Sequence, residues 1–399
     1  MEPFTCEFLF HPAALEMGGN KCTHNCFYCF AKLTKQSAPE SIVSIINRLK
    51  RKTPKVFVDF LYKQNYPICI SNKTDPFAKS NQAWTKALTP YLVDIPNGLF
   101  IQTKGGDGIE DFIKAAKRAG KKNIMFYVTI TNVNDDICKK LEPNAPNSTQ
   151  RFELVKTLSE EGFVTMIGLN PLCKEWLPES DISEFIDKVK YSKASAVACL
   201  PLYFSKNMRK RLEHLERHEL YTDYVSQISK LDYYAFSNDD YTYFVSKELQ
   251  KNNITVFSTN QPYFSGITKV YEKGLGKIFP VQQTFMDELF SKYDECLIFF
   301  DDYYDILVPD EDKELWERPF PSLSSMFLVR KNFSLWRGNP AIQKKNTLKE
   351  ILRIYWNNSK LNLSIQNNLC IGIAQNDDGT DYYVNGDIVL FFDKHLFGG

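Results

Sequence analysis

Three cysteines fall within eight residues in the segment Gly18-Gly19-Asn20-Lys21-Cys22-Thr23-His24-Asn25-Cys26-Phe27-Tyr28-Cys29. Such spacing lets one loop wrap a single metal centre. A structural zinc site takes four protein ligands, usually in paired short spacings, and no second Cys-x-x-Cys or His pair follows here. His24 as a fourth ligand is awkward, because it sits inside the loop itself. Three thiolates on an iron–sulfur cubane instead leave one iron without a protein ligand, and a small molecule can bind there.

Such a loop needs a scaffold. From Cys6 to about Thr259 short apolar, β-branched runs alternate with longer segments of helical spacing, the pattern of repeated βα units in a parallel sheet. The expected strands are Cys6–Phe10, Pro67–Ser71, Leu99–Thr103, Ile124–Ile130, Val164–Leu169, Ala196–Leu200 and Thr255–Ser258; the expected helices are Ser41–Arg51, Gln82–Leu92, Ile109–Ala119, Gln150–Glu161 and Ile182–Lys190. Gly105-Gly106, Gly120 and Gly162 punctuate these elements. Several polar clusters therefore follow strands directly, where parallel barrels assemble their active sites. A doubly wound sheet would share that geometry.

The chain becomes charged and helical between Tyr203 and Asp232, with a basic run from Lys206 to Arg211 that reads as a solvated helix face. Beyond Gln261 it turns aromatic and loop-rich, acidic around Asp301 to Glu314 and basic from Arg330 to Arg353. Leu361 to Phe392 alternates apolar and polar residues around Asp377-Asp378-Gly379 and Asn385-Gly386, which predicts β-hairpins.

With 49 Lys and Arg against 48 Asp and Glu, the molecule as a whole has no bias toward polyanions or anionic membranes. No apolar run of about 18 residues occurs, and Met1 to Leu15 lacks the basic start and apolar stretch of a signal peptide. A cytoplasmic location is expected. Ten cysteines in 399 residues do not make a disulfide scaffold and fit thiols kept reduced for metal.

The Cys-x3-Cys-x2-Cys spacing, with Tyr28 before the last cysteine, resembles the signature of the radical S-adenosylmethionine superfamily. The resemblance implies a [4Fe-4S] cluster on Cys22, Cys26 and Cys29, whose open iron chelates the amino and carboxylate groups of S-adenosylmethionine. It also implies reductive cleavage to a 5′-deoxyadenosyl radical and an electron donor such as flavodoxin or ferredoxin. Tyr28 belongs with the implied cofactor-binding residues.

Further segments between Gly18 and Trp176 resemble the spore photoproduct lyase-like branch of that superfamily. Ser71-Asn72-Lys73-Thr74-Asp75-Pro76-Phe77 is similar to a Thr-Asp-Pro segment that implies Thr74, beside Asp75, at the amino acid end of the cofactor; helix capping is their ordinary use. Gln102-Thr103-Lys104 resembles the branch's Thr-Lys, which gives Lys104 to the cofactor carboxylate. The run from Val128, with Thr129, through Leu141-Glu142-Pro143 to Arg151 implies a cofactor contact at Thr129. Glu142 and Arg151 either pair to shape the site or hold ribose and carboxylate groups. Gly168-Leu169-Asn170-Pro171 implies backbone against the adenine at Asn170.

Photoproduct lyases carry a hydrogen-donating cysteine where this chain has Asn72, so that repair route is not expected. Cys69 lies three residues away, on the opposite face of its strand. Cys173 and Cys199, near the ends of later strands, are the candidate catalytic thiols, as hydrogen donor or radical relay.

The substrate is less legible. Arg330-Lys331-Asn332-Phe333-Ser334-Leu335-Trp336-Arg337, Lys344, Lys345 and Tyr355-Trp356 interleave cations and rings, the residue types of phosphate contacts and base stacking. They suggest nucleic acid or a nucleotide, against which the acidic stretches Asp301-Asp302 and Asp310 to Asp312 and the near-zero overall charge stand; a peptide or small-metabolite substrate is equally open. Cys296 and Cys370 lie too far apart in sequence to suggest an auxiliary cluster. Two other classes fit the cysteines: a non-catalytic iron–sulfur or zinc-binding module with a nucleic-acid or protein partner, and a zinc hydrolase. The expected architecture is α/β: an incomplete (β/α)6 TIM-type barrel over residues 1–260, with the cluster loop after its first strand, then a smaller α+β domain over 261–399 that covers the substrate.

Overall fold

Seven strands pair in one parallel sheet in the order of the chain. The computed structural model describes residues 13–15, 22–29, 41–50, 68–71, 74–200, 202–205, 233–236, 239–258, 289–308, 310–319, 347, 349–350, 353, 356–357 and 371–397. By its internal contacts the chain divides into one unit of Pro12–Arg51 with Asn65–Gly276, and another of Met1–His11, Lys52–Gln64 and Lys277–Gly399.

In the first unit β1 (Ala13–Leu15), β2 (Ile68–Ile70), β3 (Leu99–Thr103), β4 (Ile124–Thr129), β5 (Val164–Leu169) and β6 (Ala196–Cys199) lie side by side. An antiparallel ribbon of β7 (Leu202–Ser205) and β8 (Tyr233–Phe236) comes next in the chain, and β9 (Val256–Ser258) then closes the order against β6. The helices are α1 (Ile42–Lys50), α2 (Gln82–Asp94), α3 (Ile109–Arg118), α4 (Asp135–Leu141), α5 (Ser148–Glu160), α6 (Ile182–Ser192) and α7 (Asp239–Lys251). The central strands are buried on both faces, as parallel strands between helical layers must be. α3 buries Ile109, Phe112, Ile113 and Ala116, one stripe at helical spacing. Because the strands are parallel and sequential, their carboxyl ends share one edge.

This is the α/β class expected, and every strand predicted from Pro67 onward occurs within a residue or two of its place. Cys6–Phe10 lies outside the described residues; the first described strand is Ala13–Leu15. Two features differ from expectation. α4 was not foreseen; Asn134 starts it by accepting the backbone N–H groups of Asp136 and Ile137. Leu202–Ser205 is a strand rather than part of a charged helix, because its Tyr203 and Phe204 are strand formers paired with the Tyr233–Phe236 run. The basic run Lys206 to Arg211 lies outside the described residues.

At the opposite edge Lys121 ties two loops together. Its Nζ donates to the carbonyls of Ile95 at 2.7 Å and Asn97 at 2.6 Å, and burial lowers its pKa to about 8. The unfolded lysine, near 10.4, then binds a proton that the folded one releases, so this group makes stability rise as the pH climbs from about 8 toward 10. Urea titrations of wild type and Lys121→Met at both ends of that window should show the rise flattened in the variant.

In the second unit β10 (Glu295–Ile298), β11 (Gly372–Ile373) and β14 (Leu390–Asp393) form an antiparallel sheet with β14 in the middle. β12 (Tyr383–Val384) and β13 (Asp387–Ile388) make the hairpin predicted at Asn385-Gly386. Both turn residues take positive φ, 52° and 86°, the requirement of a tight two-residue turn. α8 (Phe300–Leu307) and α9 (Asp310–Glu317) are the described α-helices of this unit. Trp356 is fully buried, packs on Tyr303 and Phe300, and donates its indole N–H to Ile388 O at 2.6 Å. It is a core residue, which corrects its reading as a base-stacking ring; Tyr355 and the cations from Arg330 to Lys345 lie outside the described residues. No helix among the described residues is long and apolar enough to cross a membrane.

Candidate cofactor-binding site

One cleft opens at the carboxyl edge of the sheet, with about 850 Å³ of empty space including its open mouth. Cys22, Cys26 and Cys29 from the loop after β1 line it, as do Thr74 and Asp75 after β2 and Lys104 after β3. Thr129 at the end of β4 and Asn170 after β5 complete the set read from the sequence. Tyr28 also faces it.

The cysteine loop is held from two sides. Phe27 N donates to Leu141 O at 3.0 Å, and Asn144 binds back to His24 O and Thr23 O. Thr23 and Ser80 exchange backbone-to-hydroxyl bonds. Asn25 turns the loop at φ 55°, a conformation asparagine tolerates better than most residues.

Asp75 is the hub between loops. It accepts the Phe77 N–H at 2.9 Å, the Thr103 hydroxyl at 2.8 Å and the Lys104 N–H at 2.6 Å, and Nε2 of His24 lies 3.1 Å from its Oδ2. Burial raises its pKa, but His24 and these N–H groups outweigh burial and hold the carboxyl below its ordinary value. Its acceptors are therefore spent on the protein, so Asp75 shapes the site rather than reaching a ligand. His24 Nδ1 faces Asn144 O at 3.2 Å, so both ring nitrogens are turned to groups of the chain.

Behind the cleft lies a buried charge network. Glu142 and Arg151 are fully buried and paired directly. Arg151 also donates to Pro146 O at 2.8 Å and Thr129 O at 3.0 Å, with Cys138 Sγ at 3.4 Å. An Asn147–Gln150 capping box starts α5 and places Arg151 in its first turn. Burial pushes the Glu142 carboxyl up, against the opposing pull of Arg151. Glu142 in turn accepts the Tyr28 hydroxyl and stands 3.8 Å from Lys104 Nζ. Of the two roles read for this pair, the geometry is that of the first, an internal pair that shapes the wall; neither residue lines the cleft, so Arg151 and Glu142 do not meet a ligand directly. Lys104 keeps its ammonium at the cleft, 5.5 Å over the Tyr28 ring.

Burial pushes the Cys26 thiol far up, against the pull of Lys104. It raises Cys22 as well, against backbone N–H groups at Asp75 and His24. A bound cationic centre would reverse both, since a coordinating thiol gives up its proton. Among the described residues no three or more His, Cys, Asp or Glu side chains converge tightly enough to hold a single metal ion. A zinc ion needs its thiolates at about 2.3 Å from one point, whereas a cubane takes one thiolate on each of three irons, a wider set. The three thiols line the cleft together, and both ring nitrogens of His24 face other groups of the chain.

Cys173 and Cys199 are buried, at 2% and 0% exposure, and neither lines the cleft. Burial raises the Cys199 thiol to about 12, with the Ser246 hydroxyl pulling it back. Both thus belong to the core behind the cleft walls and stand apart from its lining, as read for a hydrogen donor or radical relay. Asn72 lies outside the described residues. Sequence reasoning missed Tyr127, which lines the cleft from β4; its period-two spacing from Thr129 was the available signal.

No family model matches the chain, and no curated protein matches it. Among solved structures, spore photoproduct lyase complexed with dinucleoside spore photoproduct is similar over 61% of this chain and 75% of that one, at 12% identity and a TM-score of 0.40. A double mutant of that enzyme, with bound AdoMet and the dinucleoside, covers 66% and 76% at 12% identity and 0.40. SuiB of Streptococcus suis covers 68% and 66% at 11% identity and 0.32.

Proposed function

We propose that the chain is a radical S-adenosylmethionine enzyme in which Cys22, Cys26 and Cys29 hold a [4Fe-4S] cluster and the cleft takes S-adenosylmethionine, with the sheet curled as an incomplete barrel. The observation that carries this reading is an incomplete donor set: three thiols lining one cleft, His24 turned to Asp75 and Asn144, and the Lys104 ammonium near them.

When bound, cluster and cofactor supply a 5′-deoxyadenosyl radical that takes hydrogen from an organic substrate. The chain's own residues bind and orient. Lys104 would pair with a carboxylate, and its setting between Glu142 and the Tyr28 ring at the cleft supports that role. The hydroxyls of Thr74 and Thr129 and the Asn170 segment supply neutral hydrogen bonds. The Glu142–Arg151 pair holds the wall through the Thr129 carbonyl. The proposed substrate class is nucleic acid or a nucleotide, on the cations between Arg330 and Lys345, and a flavodoxin or ferredoxin is the proposed electron source.

The test is anaerobic reconstitution with iron and sulfide, reduction, addition of S-adenosylmethionine and quantification of 5′-deoxyadenosine. Wild type is expected to form it and Cys26→Ala to form none while losing cluster absorbance. Equal cluster content and activity in Cys26→Ala, or a wild type that keeps zinc and cleaves nothing, would sink the reading. A cluster without cleavage would favour a non-catalytic module.

A further inference from the structure

Tyr127 is a polar group of the cleft that the protein leaves unmatched. Its side chain is 7% exposed, its hydroxyl is buried without a hydrogen-bond partner among the described residues, and it lines the cleft. The Asn170 amide, which also lines the cleft, approaches the phenol closely enough to influence it without satisfying it in ordinary hydrogen-bond geometry. A buried hydroxyl left unpaired lowers stability, and such a group at a ligand cleft is the kind that function retains.

Gly168 shows how the ring is seated. It stands on β5 opposite Thr129 of β4, two residues along from Tyr127. A Cβ at Gly168 would lie 2.1 Å from Cε1, 2.3 Å from Cζ and 2.5 Å from the hydroxyl of Tyr127. The phenol therefore fills the space of the side chain that position 168 lacks.

The lining divides by charge. Every thiol and every charged or titratable side chain apart from Tyr127 comes from the ends of β1 to β3, among them Asp75 and Lys104. From β4 onward the walls carry Tyr127, Thr129, Asn170, Pro171 and Leu202, which are uncharged. A ligand that fits carries a carboxylate at one end, for Lys104, and is neutral, with hydrogen-bond acceptors, at the other.

We infer that Tyr127 is a specificity-determining residue that donates its O–H to an acceptor on the neutral, nucleoside half of the bound molecule, and that Gly168 is what lets the phenol reach it. The identity of that molecule rests on the function proposed above.

The experiment measures binding of S-adenosylmethionine, 5′-deoxyadenosine and methionine to the reconstituted protein by equilibrium dialysis, for wild type and Tyr127→Phe, together with ligand-free thermal unfolding. Tyr127→Phe should bind S-adenosylmethionine and 5′-deoxyadenosine about tenfold more weakly, bind methionine unchanged, and melt no lower than wild type without ligand. Gly168→Ala keeps the phenol but unseats the ring, and should show the same selective loss. If both variants bind all three compounds as wild type does, the inference is overturned while the function proposed above stands. A lower ligand-free melting point of Tyr127→Phe, with methionine weakened equally, would make the hydroxyl merely structural and also overturn it. A wild type that binds none of the three overturns both.

Discussion

Replacing Arg151 by methionine is expected to destabilise the first unit by about 3–5 kcal/mol, the usual result of stripping one partner from a buried ion pair. The change leaves Glu142 with no guanidinium, at zero exposure, and frees the carbonyls of Pro146 and Thr129. The loss should spread to the cleft, because Glu142 also holds Tyr28 and stands near Lys104. The double variant Arg151→Met with Glu142→Gln should recover part of the loss, since the uncompensated charge goes with it. Denaturant unfolding of the two proteins checks this. Equal stability of wild type and Arg151→Met would show that the network contributes nothing to the fold.

Gly106→Ala should cost more than about 3 kcal/mol, well beyond an ordinary glycine substitution. Gly106 has φ 152°, and its Cβ would lie 2.2 Å from the Phe77 carbonyl oxygen, a backbone atom that cannot swing away. This close approach joins the loop after β3, which carries Lys104, to the loop after β2, which carries Thr74 and Asp75. Forcing the two apart should also strain the bond from Lys104 N to Asp75. Gly108 is the control, because it too has a positive φ, 89°, but nothing within 4 Å of its Cβ. Gly108→Ala should therefore cost only about 1 kcal/mol, the conformational part alone. Comparable losses in both variants would remove the close approach as the cause. Thermal melts followed in the far ultraviolet separate the two.

Much of the scaffold was legible in the residues themselves. Buried parallel strands need continuous apolar runs such as Ile-Met-Phe-Tyr-Val at β4, and those are local. Helix faces such as that of α3 show in the spacing of Ile109, Phe112, Ile113 and Ala116. The thiol loop was legible for the same reason, as its three cysteines are neighbours in the chain. Trp356 was misread because an aromatic residue beside cations suits a stacking surface and a hydrophobic core equally. Only its packing on Tyr303 and Phe300 separates the two.

By itself, then, the sequence determined the parallel α/β scaffold, the placing of polar clusters after strands, and a loop of three closely spaced thiols. Tertiary structure alone decided what those polar residues face. Asp75 and Arg151 look like ligand contacts along the chain, yet their partners lie up to 51 residues away at His24 and 22 residues away at Thr129, and folding turns both inward. Cys199 sits at a strand end, like the residues of the cleft, but is sealed in the core. Tyr127 looks like one more apolar strand residue until Gly168 of the next strand makes room for its ring. The reason is that side-chain direction depends on register and on which neighbours leave space, and both are set between elements distant in sequence.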